Sequence, residues 1–383
     1  MENMNKEISI IGGGIAGLTT ALALQKIGLK PIIFESAEEV KAIGAGLGLG
    51  ANAINAFSHL GIKEEVVAAG SFLSSFTVYD QKGKQITKTD SVSVSKKYGL
   101  DNFTIHRAGL HQLLLSKIDQ NNIYTNKRAE SILQNGNDVT IRFQDGSTYN
   151  TNYVVAADGI HSPVRQQLLP ASKPRYAGYT CWRAVIDNTQ LQIQESSETW
   201  GKKGRFGIIP LKQNKIYWFA CINAAAQDMR MKQYAIHNLL EHFELYHHPI
   251  PAILQETKNE NLIWNDIIDI KPIHQFAFGN VLLTGDAAHA TTPNLGQGAC
   301  QAIEDAVVLA NEIKKDNEIN EAFMRFEQRR IKRVHWIVNT SWQIGKLAQL
   351  ENPLLIAARD AAFRLMPASM QDRQFKKLYE VNL

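Results

Sequence analysis

The stretch that decides the fold is Ile8-Ser9-Ile10-Ile11-Gly12-Gly13-Gly14-Ile15-Ala16-Gly17, near the start of the 383-residue chain. Residues 8–11 form a short run rich in β-branched side chains, and glycines follow at once. Residues 15–27 then carry apolar side chains at near-helical spacing. Residues 31–35 give a second apolar strand, which ends on Glu35. The pattern predicts a βαβ unit at the start of the chain.

The glycines of this unit predict a dinucleotide site. Glycine at these positions permits a tight turn, lets the backbone approach a pyrophosphate and allows the helix to pack closely on the strand. The helix N-terminus offers free amides to the phosphates, and a carboxylate at the end of the second strand would accept hydrogen bonds from a ribose diol. The residues are Gly12, Gly14, Ala16, Gly17 and Glu35. This motif alone does not distinguish NAD from FAD.

Composition excludes several classes of protein. With 44% apolar and 20% charged residues, the chain fits a globular protein, and its net charge of +4 gives nucleic acid little to bind. No run of about 18 apolar residues and no secretory pattern is present, so we expect no membrane span. The three isolated cysteines favour a reducing, cytoplasmic location. Four histidines between residues 237 and 248 are spread around a predicted helix, so no metal site is predicted.

Two later segments repeat the pattern of a buried strand followed by a turn with an acid. Asp158 and Gly159 follow one such strand, and Gly285 and Asp286 follow another. Asp286 could bind a polyol hydroxyl, and the helix that begins near residues 296–298 would stabilise anionic charge, as on a reduced flavin. NAD has neither a ribitol nor such a ring, so these segments favour FAD.

Two weaker signals have equally simple alternatives. Glycines at alternate positions over residues 44–50 let backbone lie flat against a ligand, although a flexible loop is as good an interpretation. Arg107 opens a predicted helix and could clamp a phosphate with two hydrogen bonds, or it could be a solvated surface residue. We assign Gly46 and Arg107 to the cofactor site.

In order and spacing, the three motifs resemble those of the single-component FAD-dependent aromatic hydroxylases of the para-hydroxybenzoate hydroxylase type. The resemblance implies that the first motif holds the ADP half of FAD, that the middle motif serves both FAD and NAD(P)H, and that the late motif holds the ribitol and ring. Carried over by position, the cofactor-binding residues are Gly12, Gly14, Ala16, Gly17, Glu35, Gly46, Arg107, Asp158, Gly285, Asp286, Pro293, Gly296, Gln297 and Gly298.

Within that family the chain is most similar to the branch of salicylate, 3-hydroxybenzoate and urate hydroxylases and zeaxanthin epoxidase. The segment 176–184 (Tyr-Ala-Gly-Tyr-Thr-Cys-Trp-Arg-Ala) matches the place where that branch begins its substrate sheet. Arg205 and Tyr217 fall where the urate enzymes place an arginine and a tyrosine against the substrate. Those enzymes carry an aspartate where this chain has Asn294, a departure that argues against urate.

The resemblance implies non-covalent FAD, NADH or NADPH as co-substrate, and O2. A flavin C4a-hydroperoxide would hydroxylate an aromatic or other electron-rich small molecule, with Arg205 stabilising a substrate anion and Tyr217 hydrogen-bonding it. The alternatives are an FAD-dependent reductase or halogenase of the same fold, or a non-catalytic dinucleotide-binding regulator. The sequence does not fix the substrate, the choice between NADH and NADPH, or the oligomeric state.

The predicted fold class is α/β, with a discontinuous Rossmann-like FAD-binding domain, an inserted mixed-sheet substrate domain and a helical C-terminal region. We expect the FAD-binding domain to comprise residues 1–72, 100–175 and 272–330. The substrate domain would comprise residues 73–99 and 176–271, and the C-terminal helices residues 331–383.

Overall fold

The computed structural model describes residues 6–39, 46–315 and 318–383. The predicted βαβ unit is present as strand Ile8–Ile11, helix Ile15–Lys26 and strand Ile32–Phe34. The two strands are parallel, and the amide of Gly12 donates to the carbonyl of Phe34 at 2.8 Å. Gly12 has φ +106°, a conformation that residues with a Cβ rarely adopt, so the turn requires glycine.

This unit lies inside a six-stranded sheet assembled from distant parts of the chain. The edge strand Ala277–Phe278 is antiparallel to its neighbour, and the other strands are parallel. Because parallel strands need crossovers, helices cover this sheet and the strands are buried. In spatial order the strands are Ala277–Phe278, Val281–Leu283, Tyr153–Ala156, Ile8–Ile11, Ile32–Phe34 and Ile123–Tyr124. The predicted α/β class is confirmed.

The core of this part forms between its helices and the sheet. Helix Ile15–Lys26 packs on helix Gly298–Lys315, which also contacts Ala51–Leu60 and the long helix Ile319–Ala348. The other helices here are Lys63–Ala69, Arg107–Leu115, Pro163–Leu168 and Asp286–His289, with 3₁₀ turns at Gln120–Asn122 and Pro293–Leu295. Two small antiparallel sheets contain Gly46–Leu49, Phe103–His106 and Ser71–Phe72, and Ala129–Asn135, Asp138–Phe143 and Thr148–Thr151.

A second, seven-stranded mixed sheet draws on both segments that the sequence assigned to the substrate domain. Its one parallel pair joins Ser75–Asp80 to Ser196–Gly201. In spatial order the strands are Ile263–Ile270, Pro174–Asp187, Lys215–Asn223, Gly204–Leu211, Ser196–Gly201, Ser75–Asp80 and Gln85–Asp90. The helical elements of these segments are Ser91–Tyr98, Met229–Lys232, Ile236–Phe243, Ile250–Gln255 and the 3₁₀ turn Asn259–Asn261. The domain boundaries stay a prediction.

Side chains alternate between the two faces of these strands, and this decides which of them pack against the helices and which point the opposite way. Trp182, Phe206 and Trp218 are buried in a cluster with Leu239 and Phe243 of the helix Ile236–Phe243. Because successive side chains of a strand point to opposite faces, the residues next to them in sequence point away from those helices. We call that opposite side, which carries Tyr179, Cys181, Arg183, Arg205, Tyr217, Phe219 and Cys221, the substrate face.

The C-terminal region is helical, as predicted. It contains the end of Ile319–Ala348 and the helices Pro353–Arg364 and Ala368–Tyr379. Residue 331, the predicted start of this region, lies inside the first of these helices. Among the residues that the structure describes, no helix is long and apolar enough to cross a membrane.

Candidate active site

Close backbone contacts join the first glycine loop to the middle motif. The amide of Ala157 donates to Ile11 at 2.8 Å, and a Cβ on Gly12 would lie 2.4 Å from the Ala157 carbonyl oxygen. A Cβ on Gly17 would lie 1.9 Å from the Gly12 carbonyl oxygen. Gly14 differs, because a Cβ there meets no atom within 4 Å. Two glycines therefore allow close packing, and the third leaves space at the N-terminus of the helix.

Glu35 and His111 hold the glycine loop from two sides. The Glu35 carboxylate accepts hydrogen bonds from the amides of Gly13 and Ala37, each at 2.7 Å. The buried His111 donates from Nε2 to the Gly13 carbonyl at 2.8 Å. Arg107 is exposed and lies one turn before His111 on the same helix, so the two residues share one face of that helix. Sequence reasoning missed His111, which is hidden in an apolar pattern.

Asp158 in the middle motif is a buried carboxylate that lies close to the Ser162 hydroxyl, the Val164 amide and Arg165 but forms no well-formed hydrogen bond with them. Both of its carboxylate oxygens are shielded from solvent, and neither has a hydrogen-bond partner among the described residues. Burial raises the pKa of Asp158 to about 6. A buried acceptor without a donor is costly, so this carboxylate is suited to a ligand that supplies hydroxyl or amide donors.

Arg165 connects the middle motif to the late one, and sequence reasoning gave it no role. Its guanidinium is fully buried and donates from Nη1 to the Ala287 carbonyl at 3.1 Å. Its Nη2 donates to the carbonyl of Ile160. The hydroxyl of Ser162 accepts from the Arg165 amide at 2.9 Å and caps this helix. The only signal in the sequence is that a base follows the Asp158 turn at a short interval.

The late motif contacts the first motif directly. Gly285 has φ +56°, and a Cβ there would lie 2.8 Å from the Cβ of Ala16. Asp286, the next residue, is exposed and available to a ligand. His289 donates to the Asp305 carboxylate at 2.6 Å. The same carboxylate accepts from the Gly285 amide at 3.0 Å. His289 thus supports the turn through Asp305.

Asp305 is held ionised in a buried network. Burial alone would raise its pKa, but His289 and Arg330 outweigh burial and lower the pKa to about 2. The Arg330 guanidinium donates to Asp305 at 2.7 Å and to Glu304. This paired network fixes the helix that follows the late motif.

The turn at residues 293–298 leaves backbone available at the start of an 18-residue helix. Gly296 has φ +62° and no atom within 4 Å of an added Cβ. Gly298 begins the helix, which has no acidic side chain in its first turn. Gln297 is buried and accepts from the Asn52 side chain at 2.9 Å, while Pro293 is exposed. The helix N-terminus is therefore ready for negative charge.

These features fit an FAD molecule better than NAD. The open positions at Gly14 and Gly296 mark two helix N-termini, one for a pyrophosphate and one for an electron-rich ring. The buried carboxylate of Asp158 and the exposed carboxylate of Asp286 follow two neighbouring strands of the first sheet, and both are suited to hydroxyl donors. When bound, FAD would supply the ring that takes two electrons from NAD(P)H and passes them to O2.

On the substrate face, Arg205 links the second sheet to the late motif. The buried guanidinium donates to Glu198 at 3.0 Å, to the Tyr179 hydroxyl at 3.4 Å and to the side-chain oxygen of Asn294. Tyr179 also donates to Asn294, at 3.0 Å. Burial raises the pKa of Tyr179, so its hydroxyl stays protonated. Sequence reasoning found Arg205 but missed Glu198 and Tyr179.

Tyr217 lies on the same face but at some distance along the strand. It pairs across the sheet with Ile209, four residues from Arg205, which corresponds to about 13 Å along the strand. A Cβ on Gly46 would lie 2.7 Å from the Tyr217 ring, so this glycine lets the small sheet that contains Gly46–Leu49 touch the seven-stranded sheet. Burial raises the pKa of Tyr217, which keeps the hydroxyl neutral. Residues 44 and 45 of the glycine run lie outside the described residues.

Comparison with known proteins decides the family. A family model described as an FAD binding domain matches residues 5–318. The chain belongs to this family. It is 35% identical over 371 residues to an aurachin C monooxygenase/isomerase of Stigmatella aurantiaca, with 97% of each chain covered. It is 30% identical over 376 residues to a 2-heptyl-3-hydroxy-4(1H)-quinolone synthase of Pseudomonas aeruginosa, again with 97% of each chain covered.

Among solved structures, HpxO of Klebsiella pneumoniae in complex with FAD and uric acid is similar to this chain. The TM-score is 0.91 at 25% identity, and the match covers 98% of this chain and 97% of that one. The resemblance to FAD-dependent aromatic hydroxylases is confirmed, and the protein is an FAD-dependent monooxygenase of the type that uses NAD(P)H. The roles of individual site residues stay predictions.

Proposed function

We propose that this protein uses NAD(P)H and O2 to hydroxylate a planar nitrogen heterocycle of the 4-quinolone class, which carries a carbonyl oxygen on its ring. Two relatives support this class, because both match over nearly the whole chain and one is named for a 3-hydroxy-4-quinolone product. The site residues given above, and the division into an FAD-binding part, a substrate part and C-terminal helices, are parts of the same proposal.

The choice of substrate rests on the partners of Arg205, whose guanidinium is already paired and hydrogen-bonded within the protein. Its charge is neutralised by Glu198, and its remaining donors are used by Asn294 and Tyr179. An arginine already engaged in this way offers little to an anionic substrate such as a carboxylate. We therefore give Arg205 the role of fixing the 293–298 turn against the substrate face. The aromatic rings of Tyr217 and Phe219 would form a wall for a flat ring.

In this proposal the chain's own residues bind, orient and exclude water. The turn held by Asn294 closes one side of the site, and the contact between Gly46 and Tyr217 closes another. Excluding water matters, because transfer of oxygen to the substrate competes with loss of peroxide to solvent. The neutral hydroxyl of Tyr217 is placed to hydrogen-bond the substrate.

The test is turnover under ¹⁸O2. The FAD-loaded protein is given 2-heptyl-4(1H)-quinolone with NADH or NADPH, and the product is examined by mass spectrometry. We expect a hydroxylated quinolone that contains one ¹⁸O atom and forms in proportion to the NAD(P)H consumed. Consumption of NAD(P)H that yields only peroxide, or no consumption, would refute the substrate class. Urate serves as a parallel substrate that we expect to remain unchanged.

A cytoplasmic location also belongs to the proposal. Cys181, Cys221 and Cys300 are all free and buried, which fits a reducing compartment. Fractionation of the source cells with detection of the protein would test it.

A further inference from the structure

We propose that Arg183 is the residue that binds the oxygen atom attached to the substrate's ring. The inference rests on the proposed function and names the part of the site that would recognise a carbonyl or phenolate oxygen. No role was given to Arg183 above, where Arg205 and Tyr217 were the candidates on this face.

Arg183 lies on the substrate face of the seven-stranded sheet. Its neighbours in sequence, Trp182 and Ala184, are buried against the helices on the other side of the sheet. Side chains alternate along a strand, so Arg183 lies on the substrate face. Across the sheet it pairs with Phe219, which in turn pairs with Gly207.

Among the described strands of the second sheet, Arg183 is the one arginine without a carboxylate partner. The strands of this sheet contain three arginines; Arg175 pairs with Asp269 and Arg205 pairs with Glu198. Arg183 forms no ion pair within residues 6–39, 46–315 and 318–383. Its Nε is buried and has no hydrogen-bond partner in the same ranges. The carboxylate in the same row of the sheet, Glu198, already accepts from Arg205 and from Trp200 at 2.9 Å.

The groups that act most strongly on Arg183 are thiols and a phenol rather than carboxylates. Burial opposes the charge of Arg183, but Cys181, Tyr217 and Cys221 outweigh burial and raise the pKa of Arg183, so the side chain is a cation. The Phe219 ring lies over Gly207, where a Cβ would be 2.1 Å from that ring. The charge of Arg183 is thus supported by weak acceptors only, and its buried Nε keeps a donor for a ligand oxygen.

The geometry indicates the class of group that Arg183 would bind. A guanidinium presents several coplanar N–H donors and forms strong hydrogen bonds with an oxygen that carries negative charge. A ring carbonyl, or the phenolate form of a hydroxylated ring, is such an oxygen. Binding it beside Tyr217 would fix which ring carbon faces the cofactor.

The first experiment measures the melting temperature, because replacing a residue that binds the substrate and replacing a residue that stabilises the fold affect this temperature differently. In the FAD-loaded protein without substrate, we expect Arg183→Met to change the melting temperature by no more than a few degrees. Arg330→Met is the matched control, since that arginine is buried between Glu304 and Asp305, and we expect it to lower the melting temperature clearly. An equal fall for Arg183→Met would overturn the proposal.

The second experiment measures binding with a chromophoric probe, 4-nitrophenol, whose phenolate absorbs in the visible range. We expect the FAD-loaded wild type to bind the phenolate and to lower the pKa of the bound phenol. Arg183→Gln should weaken phenolate binding roughly 10- to 100-fold and abolish that shift, with Arg183→Lys in between. Arg142→Gln, on the exposed surface of a separate sheet, is expected to behave as wild type.

Three outcomes would overturn the role of Arg183. They are equal phenolate binding by wild type and Arg183→Gln, no phenolate binding by either, and a loss of FAD affinity in Arg183→Gln with probe binding unchanged. Benzoate is titrated in parallel, and a larger loss for benzoate than for the phenolate would show that the residue recognises carboxylates instead. None of these readouts needs turnover, so failure of the quinolone assay would refute the proposed substrate without deciding the role of Arg183.

Discussion

Arg165 donates a hydrogen bond from Nη1 to the backbone carbonyl of Ala287 at 3.1 Å, although the two residues are 122 positions apart in the chain. The same guanidinium holds the carbonyl of Ile160. One buried side chain thus ties the turn after Asp158 to the turn that carries Asp286. Two of the three loops assigned to the cofactor are fixed to each other before any ligand is present.

We therefore expect Arg165→Gln to weaken FAD binding and to destabilise the protein. The shorter side chain leaves at least one buried carbonyl without its donor, at a cost of about 1–3 kcal/mol. Chemical denaturation of the FAD-free protein and FAD titration by flavin fluorescence measure the two effects. A variant as stable as Arg142→Gln, with unchanged affinity for FAD, would show that the link is dispensable.

The glycine loop allows a prediction that separates packing from ligand contact. Gly17→Ala should destabilise the fold itself, because the new Cβ would lie 1.9 Å from the Gly12 carbonyl oxygen. Gly14→Ala has space for its Cβ in the free protein, so the FAD-free melting temperature should stay unchanged while FAD affinity falls. If Gly14→Ala bound FAD normally, the phosphate would not lie at this turn.

Asp158 predicts a pH dependence with a defined sign. Its pKa in the folded protein is raised by burial to about 6 from the usual 3.8, so the folded state binds more protons than the unfolded state between these pH values. Stability of the FAD-free protein should fall as the pH rises from 4 to 6, and the shift corresponds to about 3 kcal/mol.

Asp158→Asn is the test of that dependence. It should remove this loss of stability and raise the stability of the FAD-free protein at pH 7, while weakening FAD binding. Denaturation at several pH values with and without FAD provides the measurement. A variant less stable than the wild type at pH 7 would show that the carboxylate has a structural partner.

The lowered pKa of Asp305 predicts a pH dependence of stability with the opposite sign to that of Asp158. Its pKa is lowered to about 2 from 3.8, so its contribution to stability is complete above pH 4 and is lost as the pH falls towards 2. Asp305→Asn would leave Arg330 and His289 short of an anion in the core, and we expect a loss of about 3–5 kcal/mol at pH 7. Urea denaturation measures it, and a change below about 1 kcal/mol would contradict the importance of this network.

Much of the fold and of the cofactor site could be predicted from the sequence because the signals are local. A glycine in a turn, a buried strand and an acid at its end are neighbours in the chain, as at Gly12, Asp158 and Gly285. The physical requirement at each position, such as the φ of +106° at Gly12, is also local.

The rest depends on contacts between distant parts of the chain. Neither composition nor periodicity shows that His111 would bond to the Gly13 carbonyl, or that Glu198 would neutralise Arg205. Arg205 was chosen by resemblance as a group for a substrate anion, and its actual partners become visible only when Asn294 and the second sheet are brought together. Pairing of charges is a property of the folded molecule, so a sequence cannot tell an arginine that is paired with a carboxylate from one that is not.

The central claim is that three loops from distant parts of the chain form one FAD site. Its most direct test is titration of the FAD-free wild-type protein with FAD, followed by absorbance and by quenching of flavin fluorescence. The account predicts a yellow protein that binds one FAD per chain and releases it intact on denaturation. Protein that remains colourless and takes up no FAD, while still showing its cooperative unfolding transition, would contradict it.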